Sequence, residues 1–161
     1  MRRKDKEILD ERILKEILKR ARYITIAMCR GGEPYLVTLT HGYDEEKNSI
    51  YFHCATEGKK LDFLRENPRV WGQAIIDHGY QEGECNHLYA SVMFGGRVTF
   101  ISDREGKLHA LRLMIRHQEK NPDALMRRLE GWVRDGTLDR ALVGRIDIEE
   151  FTGKKSPEVS I

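Results

Sequence analysis

The sequence predicts a mainly β fold with flanking helices, of the α+β class, built on an antiparallel sheet. Three observations carry this. Residues 23–30 and 35–41 alternate in polarity and flank Gly31-Gly32, a pair that supplies the positive φ angles of a tight hairpin turn. A polar, turn-like stretch, 42–48, then leads into a third strand-like run at 50–54, giving two hairpins in succession rather than strand–helix–strand units. Residues 88–102 are too long for an ordinary strand and contain Gly95-Gly96, where a bend or bulge of the kind barrel closure needs is permitted.

The 161 residues form a single domain, 1–161, long enough to bury a substantial core. No apolar run approaches the ~20 residues that span a bilayer, and the charged N-terminus lacks an apolar signal core, so no membrane role and a cytoplasmic location are expected. A net charge of +2, with acids and bases intermixed, gives no basic stripe and argues against nucleic acid as a partner. Three widely spaced cysteines suit reduced thiols, with Cys29 and Cys54 expected to act as small buried hydrophobes.

Along the chain, Ile8, Leu9, Ile13, Leu14, Ile17, Leu18 and Ala21 recur at helical spacing and predict an amphipathic N-terminal helix within residues 1–22. Asn67-Pro68 ends a short helix and begins a strand over 69–76, and 78–86 reads as a polar loop. Ser102 and Glu105 have capping-box spacing and open a helix reaching about Lys120. Asn121-Pro122 breaks it, a second helix covers 123–134 with Gly136 as its stop, and 141–148 closes as a final strand. Residues 153–161 read as a mobile tail.

The most informative stretch is 49–67, SIYFHCATEGKKLDFLREN. It opens as a strand, with Ile50, Phe52 and Cys54 alternating with Tyr51 and His53, and passes through Gly58 into a helix. Lys59 and Lys60 fall in the first helical turn, where unpaired N–H groups disfavour cations. An anion resolves the conflict, because backbone donors and two ammonium groups together make a phosphate site. The competing reading pairs Lys59 with Asp62 and leaves Lys60 solvated.

Tyr35-Leu-Val-Thr-Leu-Thr-His-Gly-Tyr-Asp44, Ile50-Tyr-Phe-His-Cys-Ala-Thr-Glu-Gly-Lys-Lys-Leu-Asp-Phe-Leu64 and Asn67-Pro-Arg-Val70, with Met1-Arg-Arg-Lys-Asp5 and Ile148-Glu-Glu-Phe-Thr-Gly-Lys154, resemble the pyridoxamine 5′-phosphate oxidase-like split-barrel superfamily. Within it the sequence is similar to the flavin-binding group that includes the nitroimidazole-resistance proteins. The resemblance implies a six-stranded antiparallel split β-barrel, a homodimer, and FMN near the subunit interface. It places the FMN phosphate at Gly58, Lys59 and Lys60, and the flavin ring along Val37, Thr38, Leu39 and Thr40. Phe52 and His53 flank the pocket, and Ser91 lies on a strand that lines it. His53 is the candidate catalytic residue, since imidazole titrates near neutral pH. Trp71, Gln73 and the 81–86 loop depart from the pattern and are candidates for the substrate side.

His78, Cys85 and His87 match no zinc-site spacing, so no metal is expected. No phosphate-binding P-loop, dinucleotide-binding glycine motif or nucleophile elbow occurs. The leading reading is an FMN-dependent oxidoreductase that reduces a small acceptor, such as a nitro compound or quinone, with a reduced nicotinamide as electron source. The alternatives are a flavin storage, carrier or sensor protein, and the same barrel holding deazaflavin or haem.

Overall fold

The computed structural model describes residues 2–161. Helix α1 (Glu11–Arg20) starts at Asp10, whose side chain accepts from the Arg12 amide, and carries Lys19 and Arg20 in its last turn, where they complement the helix dipole. Leu14, Ile17 and Leu18 are its buried face. The helix is shorter than the apolar spacing suggested. Residues 4–6 form a turn and Glu7 bridges to Lys154, so Ile8 enters the core from an extended segment while Leu9 faces out.

One antiparallel sheet of seven strands follows: β1 (Tyr23–Arg30), β2 (Glu33–Thr40), β3 (Gly42–Asp44), β4 (Ser49–Cys54), β5 (Arg69–Gln81), β6 (Asn86–Ile101) and β7 (Leu142–Lys155). Their order is β2-β1-β5-β6-β7-β4-β3. The expected count was six. The seventh is β3, three residues within the stretch read as a turn, recruited because Tyr43 registers with Ile50. Strand β5 also runs on to Gln81 through an irregularity between Asp77 and Tyr80, so the loop read at 78–86 contracts to a turn.

The order explains the shape. Strands β2 and β3 are separated only by His41, yet they form opposite edges of the sheet. The sheet must therefore roll until its edges approach, giving a barrel that remains split along β2 and β3. The register shift of β6 against β7 at Gly95/Gly96 supplies part of that curvature, as the glycine pair suggested.

Inside the roll, Ile24, Ile26, Ile50, Phe52, Val92, Phe94 and Ile146 are buried with the inner face of α1. Helix α2 (Lys59–Glu66) adds Phe63 and Leu64. A second apolar cluster joins α3 (Arg104–Gln118), α4 (Asp123–Arg134) and α5 (Thr137–Arg140) to Tyr51 and Val143. Helix α3 is capped by Asp103, which accepts from the Gly106 amide at 2.6 Å, one residue beyond the serine the sequence pointed to. Gly136 stands between α4 and α5 at φ 78°, a left-handed geometry that glycine adopts without strain.

Two further expectations change. The last strand, expected to end at 148, runs to Lys155 against β6, and the tail expected from 153 is ordered: Ser156 is buried, donates to the His87 carbonyl at 3.2 Å and accepts from the Tyr89 amide, and Val159 enters the core. Cys29 is exposed on the outward face of β1 and is no core hydrophobe, while Cys54, half-buried, packs against the edge of the core. Among the described residues no helix is long and apolar enough to cross a membrane.

Candidate functional site

Strand β4 and helix α2 meet at residues 55–58. Gly58 takes φ 128°, a geometry closed to most side chains, and nothing lies within 4 Å of where its Cβ would be. No side chain caps α2. The Gly58 carbonyl accepts from the Leu61 amide at 2.8 Å and the Asp62 amide at 3.4 Å, which leaves the Lys59 and Lys60 amides at the open approach beside Gly58.

The Lys59 ammonium lies 3.1 Å from Glu33 Oε1, and 4.9 Å and 5.5 Å from the ring centroids of Tyr35 and Phe63. Its partner is thus on β2 rather than Asp62, which sits instead near Arg65. The Lys60 ammonium lies 5.7 Å from the Phe52 centroid. Phe52 itself is fully buried and its ring covers Gly144, so it supports the junction from beneath and offers no surface to a cofactor.

Strand β2 runs beside this junction as a sheet edge, so part of its backbone N–H and C=O groups lack a strand partner. Val37 and Leu39 pack inward on the core. Thr38 and Thr40 face outward, Thr38 sharing a hydrogen bond of 3.0 Å with Thr25. The Glu33 end of β2 therefore meets Lys59, and its Thr40 end meets His53 across a cavity. From Tyr35 to Thr40 the strand extends about 16 Å at a normal rise per residue.

That cavity was not legible in the sequence. It measures about 420 Å³ and joins Thr40, His53 and Cys54 to Leu111, Met114 and Ile115 of α3, Leu125 and Trp132 of α4, and Leu138 of α5. Burial, and secondarily the Lys60 charge, pull the His53 pKa below its ordinary value, so its imidazole is neutral at pH 7. Burial likewise pushes the Cys54 thiol up, which keeps it protonated.

Ser91 is separated from this group along the sheet. It registers with Ile75 and Lys154, is buried, and lines a smaller cavity of about 230 Å³ with Arg2, Arg3, Met93 and Lys154. Trp71 and Gln73 point outward from β5, and with Leu36, Ile75 and Met93 they make an apolar face across the sheet. Leu36 is 63% and Ile75 51% exposed, an unusual surface for such residues to leave in water.

The sequence model of the pyridoxamine 5′-phosphate oxidase family matches residues 10–155, nearly the whole chain. The chain belongs to that family. Among solved structures, this pyridoxamine 5′-phosphate oxidase family member is similar to a candidate 5-nitroimidazole antibiotic resistance protein from Bacteroides thetaiotaomicron. The identity is 26% and the TM-score 0.73, over 92% of this chain and 85% of the other. It also shares its fold with a FAD-binding protein from Mesorhizobium loti, at 23% identity and TM-score 0.65, over 92% and 96% of the two chains. The flavocytochrome of Azotobacter vinelandii follows at 19% identity and TM-score 0.71, over 96% and 72%. No curated protein matches in sequence. The seven-stranded sheet and five helices agree with the split-barrel fold of these neighbours.

Proposed function

We propose that this protein is an FMN-binding oxidoreductase that reduces a small acceptor. The observation that carries the reading is the β4–α2 junction. There an uncapped helix start with two lysines and His53, exposed at the edge of the cavity, bracket the free edge strand β2. The donor set suits a flavin mononucleotide: the amides and ammonium groups of Lys59 and Lys60 for the phosphate, unpaired β2 backbone groups and the Thr38 and Thr40 hydroxyls for the ring's polar edge. Bound flavin supplies hydride and electron exchange, so the chain needs neither a nucleophile triad nor paired carboxylates. Its own tasks are to hold the phosphate, keep water from the ring and donate one hydrogen bond from the neutral His53 imidazole to the acceptor.

Family membership supports this reading, as does similarity to proteins whose names speak of FAD binding and nitroimidazole resistance. The outward apolar face of Leu36, Trp71, Ile75 and Met93 suits a two-fold homodimer in which the same patch meets itself and a second subunit covers the flavin. A cytoplasmic setting with reduced nicotinamide as electron source completes the proposal. A second reading, haem in place of flavin, draws on one observation: His53 presents a neutral imidazole to an apolar cavity, beside which a FAD and haem binding protein from Mycobacterium smegmatis is a fold neighbour at 18% identity.

The absorption spectrum of the purified protein separates these cofactors. Stopped-flow reduction and reoxidation then test turnover. Acceptor-dependent reoxidation faster than that of free FMN is expected, and its absence would leave a flavin carrier.

A further inference from the structure

The cavity between the barrel split and helices α3–α5 is distinguished by what it lacks. Of the described residues lining it, Glu119 is the one acidic side chain, it is exposed, and no lysine or arginine is among them. Leu111, Met114, Ile115, Leu125, Trp132 and Leu138 make the wall. The polar groups are Thr40, His53, Gln118 and Thr137, and the Gln118 amide is already spent on the carbonyls of Arg22 and His41 at 3.1 and 3.0 Å.

We infer that this cavity receives a neutral, apolar, fused-ring aromatic acceptor, and that Trp132 is the wall residue that sets its specificity. The inference rests on the flavin reading and narrows its acceptor. A carboxylate, sulfonate or phosphate placed here would lose its water with no cation lining the cavity to replace it. A volume of about 420 Å³ falls in the lower part of the roughly 300–1,000 Å³ typical of small-molecule sites, too small for a dinucleotide. A single polar ring would fill only part of it and leave the leucine and methionine groups without contacts. A fused-ring quinone fills it and turns one oxygen toward His53.

Trp132 offers the broadest aromatic surface in the wall, and its ring is held by the Arg128 guanidinium 5.4 Å from its centroid. The net chemistry balances with the electron source named above. A reduced nicotinamide gives up one hydride, a proton comes from solvent, and a quinone leaves as the hydroquinone with both C=O groups converted to O–H.

The chain has two tryptophans, so Trp71→Phe leaves Trp132 as sole reporter. In that variant, fluorescence is titrated with 2-methyl-1,4-naphthoquinone, 1,4-benzoquinone and 1,2-naphthoquinone-4-sulfonate, with and without FMN. Saturable quenching by the methylnaphthoquinone is expected, with the single-ring and sulfonated compounds weaker by about 10-fold or more. Leu125→Phe, which narrows the cavity without adding a tryptophan, should weaken it by about 10-fold or more. Trp132→Leu, with flavin absorbance unchanged, should lower kcat/KM for the fused-ring quinone relative to benzoquinone by about 10-fold. Equal affinities across the three compounds with FMN held would overturn the inference and leave the flavin reading intact. Selective quinone binding by a protein that takes up no FMN would do the reverse.

Discussion

The Lys59 ammonium and the Glu33 carboxylate lie 3.1 Å apart, joining the first turn of α2 to the start of the edge strand β2. Both side chains are more than half exposed, so the pair itself stabilises the fold little. On the proposed reading it competes with any anion that approaches Gly58.

Glu33→Gln should therefore tighten FMN, while Lys59→Ala should weaken it by roughly 10- to 100-fold, the worth of a charge-assisted hydrogen bond. Fluorescence titration measures both. Weaker binding in Glu33→Gln would show that the carboxylate serves the ligand rather than competing with it.

His53 sits where the edge strand, the α2 start and the apolar cavity converge. His53→Ala should retain FMN and slow acceptor reduction by about 10²–10⁴-fold, the range for a lost acid–base group. Single-turnover reoxidation separates this from weaker binding. A loss that shows only in KM would assign His53 to shaping the pocket.

The seam of the barrel carries its own pH dependence. His41, fully buried, donates to the Leu18 carbonyl at 3.0 Å, and its ring centroid lies 4.4 Å from that of His117, which donates to the Ala21 carbonyl. Burial, then the His117 charge, lower the His41 pKa from 6.5 to about 4. The unfolded chain takes up this proton below pH 6.5 and the folded one only near 4, so stability is complete above 6.5 and falls as pH drops through that window. The loss amounts to about 3 kcal/mol for His41, with a smaller loss of the same sign from His117, whose pKa burial also lowers. Urea denaturation at pH 7, 5.5 and 4 should show a shallower acid limb in His41→Phe, though that variant starts lower because the Leu18 bond is gone. Parallel limbs would contradict the assignment.

The outward face predicts assembly. Wild-type protein should scatter light as twice 18.8 kDa, and Trp71→Glu with Ile75→Lys should return the monomer mass. A wild-type monomer that binds FMN would remove the dimer from the account.

Much of this was legible along the chain, and the remainder fails for a common reason. Local periodicity is enough for β1, β2, β4, the first half of β7 and the cores of α1, α3 and α4, because alternation and helical spacing are set by near neighbours. Strand β3 and the far half of β5 lie in polar, turn-like stretches with little alternation of their own, and they take strand conformation by pairing with Ile50 and His87 across tight turns. Residues 153–161 look like a polar tail until Ser156 meets the backbone of His87 and Tyr89. The site divides in the same way. The Gly58-Lys59-Lys60 start shows as a local electrostatic conflict, and Thr38 and Thr40 show their outward face by alternation. Phe52 was misplaced because alternation gives a face and not a depth. The cavity, assembled from segments between Thr40 and Leu142, leaves only one trace, an apolar excess on three helices.

The central claim is that the α2 start holds the flavin's phosphate, and one comparison reaches it directly. Equilibrium titration of the apoprotein with FMN and with riboflavin, which differ only in that phosphate, should show FMN tighter by at least 10-fold. The difference should collapse in Lys59→Ala/Lys60→Ala while riboflavin affinity holds. Equal affinity for FMN and riboflavin in the wild type, or a preference for FMN that survives the double substitution, would contradict it.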